Sequence, residues 1–89
     1  MVMINHLKFD FTKHAEDVIK ERRISLEFIE RTILDPDLIE NDISDINLEH
    51  RLKKIPEHEY RVLRIILNKN SDPLRIVTVF FDRSMRGKL

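Results

Sequence analysis

In the segment HLKFDF, Leu7, Phe9 and Phe11 alternate with Lys8 and Asp10. That period of two predicts a strand with one buried face. After Thr12 the period lengthens. Ala15, Val18 and Ile19 recur at helical spacing and predict a first helix ending near Arg22. The Thr12 hydroxyl stands where it can accept from an otherwise unpartnered N–H of the first turn. Ser25 opens a second helix in the same way, with Leu26, Ile29 and Ile33 on one face and Glu27 four residues before Arg31 for an ion pair. Asp35-Pro36-Asp37 closes it, because proline disfavours helical backbone in the residue before it.

Further along, the period returns to two. NLEHRLKKI, YRVLRIILN and LRIVTVFF read as strands of increasing strength. The connectors PEHE and KNSDP are short enough to make the three an antiparallel meander. Residues 38–46, LIENDISDI, read equally as a short strand or a loop. The order is β-α-α-β-β-β, an α+β fold with two helices packed on one face of a small antiparallel sheet. Leu63, Ile65 and Leu67 are expected toward the helices, with Tyr60, Val62, Arg64 and Ile66 opposite. In the last strand Val77, Val79 and Phe81 are expected inward and Leu74, Ile76, Thr78 and Phe80 outward. The uncovered face then carries an apolar patch rimmed by Arg61, Arg64 and Arg75. A second copy, a different partner or the C-terminal tail would each serve to cover it.

Eighty-nine residues bound this to a single domain, residues 1–89, with one modest core. No apolar run approaches the roughly 20 residues of a membrane span, and MVMINH lacks the basic and apolar regions of a signal peptide. The absence of cysteine excludes disulfides, thiolate catalysis and cysteine-ligated zinc. A cytoplasmic protein without membrane contact is expected. The formal charge is zero but unevenly placed: residues 1–50 hold 6 bases against 12 acids, and residues 51–89 hold 10 against 4. Either the basic half forms a working surface, or the halves attract each other across the fold.

Gly87 is the sole glycine, which excludes glycine-rich phosphate loops. His6, His14, His50 and His58 include no i, i+4 pair with a carboxylate nearby at metal-ligand spacing, so no metal and no cofactor are expected. His58, between Glu57 and Glu59, reads as a solvated turn residue. His50 beside Arg51, Lys53 and Lys54 reads either as a phosphate-binding cluster or as an edge strand defended by lysines.

The segments FDFTKHAEDVIKERRISLEFIERTILDP, RLKKIPEHEYRVLRIILN and RIVTVFFDRSMRGK resemble a family of small bacterial and archaeal domains of uncharacterised function, marked by a pattern like HAxxRMxERGIS. They also resemble the BrnT ribonuclease toxins, whose first helices run into a similar segment ending in Asp-Pro and whose last strand is similar to RIVT. Both families are grouped with the RelE/ParE-like toxins. The resemblance implies a RelE-like fold, metal-independent RNA cleavage by attack of a ribose 2′-hydroxyl on phosphate, on or off the ribosome, and a cognate antitoxin. It implies His14 as acid–base residue, with Arg64 and Thr78 contacting phosphate or 2′-hydroxyl. It adds Arg22 as an RNA contact, and the basic C-terminal half adds Arg51, Arg61, Arg75, Arg83 and Lys88 as further expected contacts. This chain departs from the pattern at Val18 and Ile19, where arginine and methionine are usual, and at Arg23, where glycine suits a left-handed turn.

Two other expectations stand beside this one. His14 also reads as a residue that merely orders the strand-to-helix corner. A non-catalytic binding or dimerisation module would share the fold, whereas a DNA-binding regulator is disfavoured because neither helix is a basic recognition helix. An enzyme requires Arg64, Thr78 and the C-terminal bases to converge in an open cleft.

Overall fold

Thr12 is where the first long strand becomes the first helix. Its backbone is extended, its hydroxyl accepts from the Ala15 N–H at 3.1 Å, and the same hydroxyl donates to the Val77 carbonyl at 3.0 Å. One side chain therefore caps a helix and ties it to a strand 65 residues away. The computed structural model describes residues 2–4 and 7–89, with side chains from Phe9 onward. The facing expected of Leu7, and His6 altogether, lie outside the described residues.

Along the chain come β1 (Val2–Ile4), β2 (Leu7–Phe11), α1 (Lys13–Arg22), α2 (Leu26–Leu34), β3 (Leu38–Asn41), β4 (Leu48–Ile55), β5 (Arg61–Asn68) and β6 (Leu74–Phe81). Single 3-10 turns occupy Pro56–His58 and Arg83–Met85. The strands form one sheet in the order β1-β2-β6-β5-β4-β3. The meander from β4 to β6 is antiparallel as expected and β3 extends it, but β2 lies parallel to β6, so the sheet is mixed rather than antiparallel. That pairing joins the two ends of the chain's fold, which reading of neighbouring segments does not reach. Residues 38–46 divide into a strand and a loop, the loop closed by the Asp42 carboxylate accepting from the Ser44 and Asp45 N–H groups.

α1 ends in a Schellman motif. Arg23 takes the left-handed conformation at φ 52° and ψ 45°, its N–H donates to Lys20 O, and the Ile24 N–H donates to Ile19 O. Ile24 then turns into the core. Ser25 caps α2 through the Glu27 N–H, and the buried Thr32 donates its hydroxyl to Phe28 O. The Glu27–Arg31 pair forms at 3.3 Å, but Arg31 bonds Glu57 more closely, through two contacts of 2.8 Å. Those contacts hold the Glu57 carboxyl down at about 2. Among the described residues no helix is long and apolar enough to cross a membrane.

The core lies between the helices and one sheet face. Ala15, Ile29 and Ile33 meet Phe9, Ile55, Leu63, Ile65, Leu67, Ile76 and Val79 there. Each fully buried Leu, Ile or Phe contributes roughly 1.5–3 kcal/mol by removal from water. β5 faces as expected. β6 does so only from Thr78 onward, with Val79 and Phe81 inward and Thr78 and Phe80 outward; before that, Ile76 is fully buried and Leu74 packs on the core, whereas Val77 lies outside it. The cause is a β-bulge. Ile66 pairs with Thr78 and Leu67 with Ile76, so Val77 is an extra residue in β6. Its carbonyl is the one that Thr12 satisfies. The extra residue reverses the facing, which lets Ile76 and Val79 both point to the helices and turns Thr78 and Phe80 to the other face.

Candidate functional site

β2 pairs with β6 only as far as Ile76, after which α1 takes over beside β6. Past that point the edge of β6 is open to the start of α1. His14, on the first turn of α1, reaches around it and places Nε2 3.1 Å from the Thr78 hydroxyl oxygen. Both are on the sheet face that the helices leave uncovered, and both reach solvent.

Arg64 lies on the same face in different company. Its Nε donates to Asp82 at 2.8 Å, and Nη1 donates to Glu40 at 3.2 Å and to His50 Nδ1 at 2.7 Å. A guanidinium donating to Nδ1 leaves the His50 proton on Nε2, which donates to Asp42 at 2.7 Å. The side chain of Arg64 is 13% exposed, and its charge is answered by two carboxylates. The bond from His50, with those from the Ser44 and Asp45 N–H groups, holds the Asp42 carboxyl below its ordinary range. The Ser84 hydroxyl first, and then Arg64, does the same for Asp82 against the opposing effect of burial.

A cleft of about 610 Å³ opens at the far end of β6. Its walls come from the α1–α2 corner (Arg22, Arg23), the start of β5 (Arg61) and the turn after β6 (Arg83, Arg86). Asp82 is the acid in its lining, and Ser84 and Arg64 already occupy it. Arg61 has an exposed pair with Glu59 at 3.2 Å, and Arg86 a long bond of 3.5 Å to the Glu59 carbonyl. Arg22, Arg23 and Arg83 have no carboxylate partner among the described residues. Phe80, 38% exposed, and His58 complete the wall. His58 is not the solvated turn residue expected, because its ring stacks on Phe81 at 4.6 Å.

The residues assigned by sequence thus separate into groups, and the convergence expected of an enzyme is not met, because Arg64 and Thr78 lie outside the cleft that Arg83 lines. His14 and Thr78 meet; Arg64 shares their face but is held by Asp82, Glu40 and His50; Arg22, Arg61 and Arg83 converge in the cleft. Arg75 pairs with Asp10, and Arg51 bonds Glu49 and the Ile33 carbonyl at the end of α2. Lys88 is exposed and outside the cleft lining. The basic cluster at His50 is split by strand alternation: His50 and Lys54 face one way, Arg51 and Lys53 the other. The C-terminal residues cover one corner of the uncovered face, where the Asp82 N–H donates to Val62 O and Lys54 Nζ donates to Leu89 O at 3.0 Å. Val62 is buried beneath them.

Arg23, Arg86 and the Asp42–His50 pair are what sequence reasoning missed. The adjacent arginines of ERRIS were the available signal for the first. Among the described residues no three His, Asp or Glu side chains gather as metal ligands.

Comparison with curated proteins and with solved structures gives no match. The match that does arise spans most of the chain: residues 11–81 fit the model of a domain of unknown function, DUF4258, and the chain belongs to that family.

Proposed function

We propose that this chain is an RNA-cleaving toxin of a toxin–antitoxin pair, acting in the cytoplasm, with His14 as its base. The observation that carries this is the His14–Thr78 contact on the open sheet face. With the Thr78 hydroxyl donating, Nε2 is the basic nitrogen of the ring. A ribose 2′-hydroxyl that displaces Thr78 gives its proton to Nε2 and attacks the adjacent phosphorus. A 2′,3′-cyclic phosphate forms, the bond to the 5′ oxygen breaks, and that oxygen takes a proton from solvent. The order of a strand, two helices and then further strands roughly fits the β-α-α-β-β-β order expected from the resemblance, and supports the same reading.

Arg64 favours an alternative, a non-catalytic binding module, because its guanidinium is already engaged by Asp82, Glu40 and His50. The two are separated by incubating purified protein with an RNA oligonucleotide and analysing its ends. Cyclic phosphate products, lost by a factor of 10² to 10⁴ in His14→Ala, establish the ribonuclease. Intact RNA with folded wild type leaves the binding module.

A further inference from the structure

We infer that the arginine cleft at the end of β6 binds the phosphodiester backbone of single-stranded RNA, and that Arg23 is one of its binding residues. The ligand class rests on the RNA function proposed above; cleavage is not needed for it.

Five guanidinium groups converge on one cleft, and four of them, all but Arg61, lack a carboxylate partner among the described residues. Like charges brought together repel, so such a cluster is satisfied by an anion from outside. A guanidinium matches phosphate with two parallel N–H donors. The volume lies in the ~300–1,000 Å³ range of ligand sites. Phe80 in the wall offers an aromatic face for a base, which an acidic peptide would not use.

The backbone points to the same place. Among the described residues three non-glycine residues have positive φ: Arg23 at 52°, Glu59 at 56° and Tyr60 at 58°. Arg23 lines the cleft, and the other two immediately precede Arg61. Arg23 occupies the helix-ending position where glycine is preferred, since a side chain there costs conformational energy. A residue kept against that preference, aimed into a basic cleft, fits a binding role.

Position completes the case. Thr78, Phe80 and Asp82 follow one another at alternate positions along β6, about 13 Å from first to last at ~3.3 Å per residue. A strand a few nucleotides long held at the cleft therefore reaches His14.

The test uses a fluorescent 2′-O-methyl RNA oligonucleotide, which binds but has no free 2′-hydroxyl to attack. Anisotropy titrations across a salt series give the slope of log K against log salt, about −0.7 per phosphate neutralised on a single strand. Arg23→Gly and Arg83→Ala should each weaken binding several-fold and flatten the slope by about 0.7. Arg23→Gly should do so with an unchanged or raised melting temperature, which no folding defect would produce. Lys69→Ala, at the other end of the sheet, serves as the matched loss of charge and should leave the slope unaltered.

Equal effects of Arg23→Gly and Lys69→Ala overturn the proposal. So does absence of oligonucleotide binding at low salt, and so does tighter arginine-dependent binding of a polyglutamate peptide, which assigns the cleft to an acidic protein. Arginine-dependent binding of the 2′-O-methyl strand together with inert wild type on ordinary RNA sinks the ribonuclease and leaves this site standing.

Discussion

Arg64 and Arg83 are separated by one turn of the chain's return path and carry the same charged group, but their surroundings differ completely. Arg64, in the middle of the uncovered face, donates to two carboxylates and an imidazole. Arg83, at the cleft, donates to none among the described residues. A guanidinium whose hydrogen bonds are filled from within the fold is a structural member, because an incoming phosphate must displace a carboxylate to reach it. One left empty is available to a ligand. On this difference the cleft, rather than the centre of the sheet, is the place we propose for a polyanion.

Three substitutions can break the contrast. Arg64→Ala should have the largest effect, a loss of about 2–3 kcal/mol by urea denaturation, since it strands the part-buried Asp82 and leaves Glu40 and His50 without their shared donor. A loss no greater than that from a surface change would show that the network holds nothing together.

Asp82→Asn comes next, at about 1 kcal/mol near neutral pH. Its carboxyl titrates below the ordinary range in the folded chain, so its stabilisation is present above that range and disappears as pH falls through the lowered value. Thermal melts of variant and wild type should therefore converge in acid; a gap that stays constant would mean that the carboxylate charge is not what matters.

The smallest effect belongs to Arg83→Ala, expected within 0.5 kcal/mol of wild type. A destabilisation rivalling that of Arg64→Ala would erase the distinction between the two sites.

Local devices were open to sequence reasoning. Thr12 and Ser25 as caps, Asp35-Pro36 as a stop and the inward set Leu63, Ile65 and Leu67 all follow from spacing within one segment. The facing of β6 did not, because LRIVTVFF is apolar at nearly every position and gives no parity signal. The bulge at Val77 is specified by its partners, Ile66 and Leu67 across the sheet and Thr12 at the helix start. The cleft was hidden for a related reason. Its arginines come from three separate places along the chain, and only the parallel pairing of β2 with β6, with the α1–α2 corner it carries, brings them together. His14 and Thr78 were both legible as site residues through the resemblance, but their direct contact was not, since it depends on β2 ending where it does.

The extra residue in β6 also says something about which changes the gene can accept. Exchanging Val77 for another residue leaves the count between Ile76 and Thr78 intact, and with it the meeting of Thr78 and His14. Deleting it leaves Ile76, Thr78 and Val79 in plain alternation, still opposite Leu67, Ile66 and Ile65, and removes the carbonyl that accepts from the Thr12 hydroxyl. A three-base deletion there is therefore expected to spare the facing of the strand and to loosen the corner between β2 and α1, whereas a conservative codon change leaves both alone.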